Sequence, residues 1–354
     1  DTVRMEAAGG ANNAYTSKDV TVYMDWFPRS ALETIFELEA DRLMNLSIDP
    51  DVVESERSTV YSERRQAYED NNEGMLFEQM FANAYLAHPY QNPVIGWPSD
   101  IENWSQEDLE AFFKTYYAPN NLTMILVGDV TPEEVYLLAN QYFSPIPRQY
   151  PPPEITIVEP QQAGERRFLI ETAAPTPLLH VAFHAGATAD PDTLHMDLLL
   201  AILAEGSASR LHRVLVEEEQ LALSVGSLQS DGFDPGLVYF YLTLPPGGDI
   251  AAAGERLYAE LRRVATEGVT DAELEKARNL RLASFWRSLQ TIDGKASALG
   301  NFETFTGDHE NLFAVPERLA ATTPDELRTA AAKVFRRNNM TTGILRAPPE
   351  DDAE

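Results

Sequence analysis

Two glutamates, Glu56 and Glu63, are the residues whose type and spacing suggest chemistry most directly. In an α-helix a separation of seven residues is about two turns, so both carboxylates point to one side. Val53 and Val60 have the same separation and mark a neighbouring apolar stripe. Carboxylates on one helix face can serve a metal site, but acids beside an apolar stripe are also the ordinary edge of an amphipathic helix. The spacing alone leaves both interpretations open.

A helix must carry this pair, and the sequence predicts one that begins at Asp49. Asp49 is a good N-cap residue and Pro50 suits the first helical position. No glycine or proline follows until Gly74, so the helical run extends past both glutamates. The predicted helix therefore holds Glu56 and Glu63 in register.

The rest of the first half mixes predicted strands and helices. Alternating apolar residues predict a strand over residues 20–24, and helical spacing predicts a helix over residues 30–46. Ser105 opens a capping box and Thr131 caps a further helix. The continuous apolar run Leu122–Val127 predicts a buried strand between these two helices.

Prolines divide the chain. Six of them lie between Pro145 and Gln162 and predict a stiff, extended segment. We therefore expect domains over residues 1–144 and 163–354, joined by a linker over residues 145–162. The second half begins with predicted strands over residues 167–171 and 178–184, and continues with a mixture of helices and strands.

An internal repeat supports this division. A shift of 218 residues places Ser105 on Thr323 and Leu109 on Leu327, and superimposes the pair Asn120-Asn121 on Asn338-Asn339. A shared cap, helix length and turn in register indicate a duplication, so we expect two similar α/β domains in tandem.

Composition excludes several classes of protein. The sequence has 27 basic and 56 acidic residues, a formal charge of -29, which disfavours nucleic acid and anionic membranes as partners. It has no cysteine, which excludes disulfides, thiolate ligands and a cysteine nucleophile. No apolar run approaches the length of a membrane span.

Several stretches, taken in order, resemble the M16 family of zinc metallopeptidases, also called the pitrilysin, insulinase or inverzincin family. The resemblance is closest to the short two-domain members related to processing peptidases. It implies an α+β fold of two tandem homologous α/β sandwich domains, the first of them N-terminally incomplete in this sequence. The matching stretches are Gly9-Gly10, residues 12–17, residues 38–43, residues 56–65, His88-Pro89-Tyr90, Gly96-Trp97 and residues 120–129, with a weaker match at Ser209-Arg210-Leu211 and residues 219–221.

In that family a His-x-x-Glu-His helix supplies two zinc ligands and the general base, and a more distant glutamate supplies the third ligand. The resemblance implies that Glu63 is this metal ligand, that Zn²⁺ is the cofactor, and that Glu56 is a second acid that supports catalysis without binding metal. The sequence contains no His-x-x-Glu-His. Family spacing would place the motif about a dozen residues before Asp1, so we expect the sequence to begin within a longer polypeptide.

None of the six histidines replaces the motif. They are His88, His180, His184, His195, His212 and His309. Only His180 and His184 have the spacing of ligands on a helix, and they lie in a predicted strand. We expect all six to be structural or exposed.

The resemblance also implies partners. Active single-chain members carry an Arg and a Tyr, seven residues apart, that hold the substrate carbonyl. This sequence has Val216 and Leu223 at the matching positions. That pattern favours the zinc-binding half of a heterodimer whose paralogous partner supplies the Arg and Tyr, with a homodimer as the alternative. A peptide substrate is expected to add as a strand along Asn13, Ala14 and Tyr15.

Two other interpretations remain open. A non-catalytic structural or substrate-holding subunit would have the same fold without a complete zinc site, and an unrelated acidic peptide-binding module would require every match to be a coincidence. The absence of cysteine and the divided bacterial members favour the periplasm, with the mitochondrial matrix or the cytoplasm as alternatives.

Overall fold

The structure, a computed structural model, describes residues 2–349. The outer ends of the two predicted domains, residue 1 and residues 350–354, lie outside the described residues. The α-helices are α1 Thr2–Ala7, α2 Leu32–Asn45, α3 Pro50–Arg64, α4 Asn72–Ala84, α5 Pro98–Asn103, α6 Gln106–Tyr116, α7 Pro132–Tyr142, α8 Asp192–Ala204, α9 Ile250–Glu267, α10 Asp271–Ser288, α11 Ile292–Thr306, α12 Val315–Ala321 and α13 Pro324–Val334.

The strands of residues 2–349 form two sheets. They are β1 Ala11–Thr16, β2 Thr21–Trp26, β3 Arg166–Glu171, β4 Leu178–His184, β5 Ser224–Gln229, β6 Leu237–Thr243 and β7 Met340–Arg346. Two π-helices cover Arg65–Glu69 and His212–Glu218, and short 3-10 helices cover Arg29–Ala31, Pro89–Gln91, Pro119–Asn121, His309–Leu312 and Arg337–Asn339.

Two compact units divide the chain, and each takes residues from both halves. The first compact unit contains the residues up to Glu63 together with Val94–Thr156 and Ser288–Thr304. The second contains Arg64–Pro93, Ile157–Arg287 and the residues from Phe305 onward. The division after residue 156 lies inside the segment 145–162. This segment contains neither a helix nor a strand.

The second compact unit is built on a five-stranded sheet in the order β3-β7-β4-β6-β5. β3 and β7 are parallel, and the other neighbours are antiparallel. The central strand β4 is buried along almost its whole length, as its apolar sequence predicts. α8, α9 and α13 supply the side chains of the main core together with strands β4 and β6.

Helix α4 packs against the same sheet with its own apolar stripe. Leu76 and Met80 are fully buried, and α4 contacts β3, β4 and β7. Gly343 of β7 permits this approach, because a Cβ there would lie 2.4 Å from the Phe168 ring and 3.0 Å from Leu76. Residues 72–84 therefore form part of the core of the second compact unit.

The first compact unit contains the β1–β2 hairpin and several helices. β1 and β2 are antiparallel, with Asn13 opposite Met24 and Tyr15 opposite Val22. Helix α2 buries Leu32, Phe36 and Leu38, among other residues. By contrast, α6 and α7 bury none of their side chains.

The internal repeat is exact in its helix bounds. Adding 218 to the bounds of α6, Gln106 and Tyr116, gives those of α13, and the same shift relates the 3-10 helices that follow. The burial of the two copies differs. The α13 residues Leu327, Ala330, Ala331 and Val334 are buried, whereas their counterparts Leu109, Phe112, Phe113 and Tyr116 are half-buried or exposed, Phe112 by 56%.

The predicted strand over Leu122–Val127 is wrong. This stretch has no regular secondary structure, and Leu122 and Met124 are exposed. Its counterpart under the repeat is β7, which is paired with β3 on one side and β4 on the other. Among the described residues nothing pairs with 122–127, and an unpaired segment is not a strand however apolar its sequence.

No helix within residues 2–349 is both long and apolar enough to cross a membrane.

Candidate functional site

Helix α3 carries Glu56 and Glu63 as predicted, and its burial pattern explains their direction. Asp49 Oδ1 accepts a hydrogen bond from the Asp51 backbone N–H at 2.9 Å, which helps to cap the first turn. Val53 and Arg64 are the buried side chains of α3. Glu56 and Glu63 lie on the flank of this buried stripe and are exposed.

Neither glutamate carboxylate has a hydrogen-bond or ion-pair partner among the described residues. A solvated carboxylate with free lone pairs can accept a metal ion, but one ligand does not make a site. Across residues 2–349 there is no group of three or more His, Cys, Asp or Glu side chains placed to hold a metal. Glu56 and Glu63 are thus available for coordination and lack co-ligands in the described part of the chain.

The two histidines with helical ligand spacing lie on strand β4, as the apolar sequence predicts. His180 is buried, and its Nε2–H donates to Glu73 Oε2 at 3.0 Å while its Nδ1 accepts from the Tyr239 hydroxyl. His184 Nε2 donates to the Ala84 carbonyl at 2.8 Å. Their ring nitrogens therefore tie α4 to the sheet.

Burial lowers the pKa of His184, and the hydrogen bond to the Ala84 carbonyl only partly offsets this effect. The neutral imidazole is thus the form that the folded chain prefers.

Residues Asn13, Ala14 and Tyr15 lie on β1, and every residue of that strand is exposed. β1 pairs with β2 along one edge and with no other strand of the described residues. The Asn13 Oδ1 atom accepts a hydrogen bond from the Ala14 backbone N–H at 2.9 Å. An edge of this kind offers main-chain groups to an added strand, once the Asn13 side chain has moved aside.

A contact that the sequence did not indicate lies next to Glu63. The Arg64 guanidinium binds the Glu78 carboxylate of α4 through two bonds, Nη1 to Oε1 at 2.7 Å and Nη2 to Oε2 at 3.1 Å. The side chains of Arg64 and Glu78 are only 4% and 7% exposed. The two residues are fourteen apart and on different helices, so no local pattern pairs them.

The His88-Pro89-Tyr90 stretch has a structural role here. The Glu159 carboxylate accepts hydrogen bonds from three consecutive backbone N–H groups, those of Leu86, Ala87 and His88, at 2.8, 2.9 and 3.0 Å. His88 Nδ1 accepts from the Tyr90 N–H, and its Nε2–H donates to Asp234. Glu159 and Asp234, both distant in the sequence, thereby hold the segment that follows α4 in place.

Electrostatics support this assignment. Burial by itself would raise the pKa of Glu159, but the three backbone donors outweigh it and hold the pKa below its ordinary value. Glu159 is therefore charged at neutral pH and bound to the backbone.

The second-half positions that differ from the family pattern carry no polar group. Val216 lies half-buried in the π-helix His212–Glu218, and the Leu223 side chain is 55% exposed. The Leu223 backbone N–H donates to the Thr243 carbonyl at 2.8 Å, which continues the β5–β6 pairing. Neither side chain can donate a hydrogen bond to a substrate carbonyl.

Comparison with protein families gives two matches. Residues 103–281 match the model described as "Peptidase M16 inactive domain", and residues 2–97 match the model described as "Insulinase (Peptidase family M16)". Together they span most of the chain.

Individual relatives agree with these matches. The zinc protease PqqE of Helicobacter pylori is 27% identical over 343 residues, which cover 96% of this chain and 77% of that protein. A probable mitochondrial-processing peptidase subunit beta of Schizosaccharomyces pombe is 26% identical and covers 94% and 75%. The crystal structure of a protease from Helicobacter pylori superimposes with a TM-score of 0.92 at 27% identity, covering 97% of this chain and 83% of that one.

Proposed function

The chain belongs to peptidase family M16, and on this basis we propose that it is a subunit of a zinc-dependent metalloendopeptidase in which Glu63 supplies one ligand to Zn²⁺. The observation that carries this proposal is the state of Glu63. It lies within the M16 match, on the flank of a capped helix, exposed and without a partner that would compete for its carboxylate. Glu56, two turns earlier, is proposed to support the site without binding the metal.

The described residues do not by themselves fit a zinc site. Catalytic zinc takes three protein ligands and keeps one position open, and residues 2–349 hold no group of three candidate ligands. We assign no catalytic step to these residues for that reason. We propose instead that two imidazoles and the general base come from a segment outside them.

Exposed apolar side chains of the first compact unit support such a segment. Phe112, Tyr116, Leu122 and Met124 are exposed there. Their counterparts under the repeat are buried in the second compact unit, within α13 and β7, and β7 is paired on both sides. A covering segment would remove this apolar surface from water, which is the usual reason for an exposed apolar face of this kind.

The peptide substrate is proposed to bind along β1. Asn13, Ala14 and Tyr15 provide an exposed strand edge, and main-chain hydrogen bonds to such an edge demand little of the substrate sequence. The acidic balance of the chain favours basic peptides over acidic ones.

The partner is proposed to be a paralogous M16 subunit. Val216 and Leu223 cannot hold a substrate carbonyl, so the Arg and Tyr of the family pattern would come from a second chain. A homodimer would leave the assembly without these donors, which is why we favour the heterodimer. For the compartment we propose the periplasm, supported by the lack of cysteine.

The test is the zinc content and zinc affinity of the native protein with single substitutions on α3. E63Q should weaken zinc binding by more than about 100-fold, because it removes a ligand, and E56Q should weaken it by about 10- to 100-fold, as outer residues of zinc sites do. E54Q on the same helix is the matched control, since Glu54 is exposed and its side chain pairs, within residues 2–349, with Arg57 alone. Unchanged zinc binding in E63Q would show that Glu63 is not a ligand.

The second candidate function is a non-catalytic subunit of the same fold. The observation that favours it is the missing three-ligand group, together with the inactive-domain description of the model matched by residues 103–281. A native protein that contains no zinc, hydrolyses no peptide, and yet copurifies with an active M16 partner would support this function over the first.

A further inference from the structure

The buried pair Arg64–Glu78 lies directly beside the proposed zinc ligand. Arg64 is the last residue of α3, so its backbone closes the helical turn that contains Glu63. Its guanidinium leaves that turn and is held through both nitrogens by Glu78. The position of the Glu63 turn is therefore linked to α4 by a bidentate ion pair, the most geometrically restrictive pair that two side chains can form.

Glu78 lies on a helix, α4, that is itself held by buried side chains and by hydrogen bonds. α4 has Leu76 and Met80 fully buried on either side of it in the sequence. Glu73, five residues earlier, accepts a hydrogen bond from the buried His180, and the Asn72 side chain donates to the Ala173 carbonyl at 3.1 Å. A helix held at its start and along its apolar stripe gives Arg64 a partner with a fixed position.

Stability does not explain the pair well. Replacing a buried ion pair by apolar residues of similar volume is often neutral or stabilising, so stability alone does not account for this pair. A π-helix, Arg65–Glu69, follows Arg64 directly, and π-helical turns are frequent at functional sites. Arg64 also lies over the Tyr68 ring, with its guanidinium carbon 5.5 Å from the ring centre.

The two cations that follow Glu63 in the sequence, Arg64 and Arg65, both have other partners. Arg64 is bound by Glu78, and Arg65 lies 3.9 Å from Asp70. With both cations engaged elsewhere, Glu63 keeps its lone pairs free.

We infer that Arg64 and Glu78 are positioning residues, which hold the last turn of α3 so that the Glu63 carboxylate stays exposed and unpaired. This inference rests on the proposed function of Glu63. It assigns no direct contact with metal or substrate to either residue.

The experiment compares backbone amide exchange over residues 60–66 in the 354-residue chain and in the variants R64Q and E78Q. Removing one member of a buried ion pair is strongly destabilising, so exchange in this stretch should become about 10- to 100-fold faster in both variants. R65Q is the matched control, because Arg65 is the adjacent residue of the same type and its side chain is 59% exposed. It should leave exchange over residues 60–66 within about two-fold of the parent.

A second control separates positioning from stability alone. L76A removes a fully buried side chain from the same helix without touching the ion pair. If L76A accelerates exchange over residues 60–66 as much as E78Q does, the pair merely stabilises α4 and the inference is overturned. Unchanged exchange in R64Q and E78Q overturns it as well. E78D, which keeps the charge, should restore part of the protection.

Zinc affinity of the native protein distinguishes this inference from the proposed function. If E63Q abolishes zinc binding, R64Q and E78Q should weaken it by about ten-fold, as outer residues do, while R65Q should not. If E63Q has no effect on zinc, the proposed function fails, and faster exchange in R64Q and E78Q still supports the role of the pair in holding this turn. If E63Q abolishes zinc binding and E78Q leaves it unchanged, the positioning role is overturned and the ligand assignment stands.

Discussion

Glu159 offers the sharpest test of how the region after α4 is held. Its carboxylate accepts hydrogen bonds from the backbone N–H groups of Leu86, Ala87 and His88. The E159Q substitution keeps the size of the side chain but replaces one acceptor oxygen by an NH₂ group, which can only donate. At least one of the three backbone donors must then lose its partner.

The cost follows from the type of bond. An unpaired buried donor costs about 1–3 kcal/mol, and the remaining bonds lose the strengthening that a charged acceptor gives. The Glu159 side chain is only 11% exposed and His88 is buried, so water cannot fully replace the acceptor of the His88 N–H. Leu86 and Ala87 are exposed, so water can partly replace the acceptor of their N–H groups. We expect E159Q to lower the free energy of unfolding by about 1–3 kcal/mol at pH 7.

The effect of pH has a definite sign. The three backbone donors hold the pKa of Glu159 below its unfolded value, despite burial, which acts in the opposite direction. The charged carboxylate therefore contributes stability above the unfolded pKa of about 4.3, and this contribution is lost as the pH falls through the lower pKa of the folded state. The difference between the parent and E159Q should shrink below about pH 4.

Urea unfolding from pH 7 down to about pH 3 measures this difference, because the range must extend below the unfolded pKa of about 4.3. Because a chain with two compact units need not unfold in one step, amide exchange over residues 84–90 is measured beside it. E154Q is the matched control, since Glu154 is exposed and has no partner among the described residues. Equal unfolding free energies for E159Q and E154Q at pH 7 would refute the role assigned to the three backbone donors.

Three further predictions concern the second compact unit. Burial lowers the pKa of His184 in the folded state, so the neutral ring contributes stability at pH values above the unfolded pKa of about 6.5. This contribution is lost as the pH falls through the lower pKa of the folded state, so H184Q should flatten the decline in unfolding free energy between about pH 7 and pH 5. G343A should cost about 1–3 kcal/mol in urea unfolding, because its Cβ would lie 2.4 Å from the Phe168 ring, whereas G164A, with open space around it, should cost less than about 1 kcal/mol. T323A should cost about 1 kcal/mol in thermal unfolding, because the N-cap hydroxyl of α13 is lost, and T323S should restore most of it.

The sequence predicts those parts of the fold that local chemistry determines. Ser105, Thr131 and Thr323 cap the helices that their positions predict, because a cap is made by neighbours in the chain. The apolar run of β4 predicts a strand, and that strand is found at the centre of a sheet. Glu56 and Glu63 lie on one exposed flank of α3 because helical spacing alone sets their direction.

What the sequence misses depends on partners that are distant in the chain. Leu122–Val127 has the composition of a strand, but pairing makes a strand, and the described residues offer it no partner. The spacing of Arg64 from Val53 and Val60 places it on the buried side of α3. Nothing in the neighbouring sequence identifies Glu78 as the acid that neutralises its buried charge. The π-helix at Arg65–Glu69 leaves no signal in helical periodicity.

The division of the chain shows the same limit on a larger scale. Proline content predicts a linker over residues 145–162, and one of the divisions between the compact units lies after Thr156. Composition cannot predict that Arg64–Pro93 folds with the second half, since that depends on Leu76 packing over Gly343 and on Glu73 meeting His180. The 218-residue shift makes residues 282–311 equivalent to Arg64–Pro93. Most of that range, Ser288–Thr304, belongs to the first compact unit. Equivalent segments of the two repeats have thus changed places. A fragment cut at the proline-rich segment would keep Glu63 and its helix but lose the strands on which α4, and with it Glu78, depends.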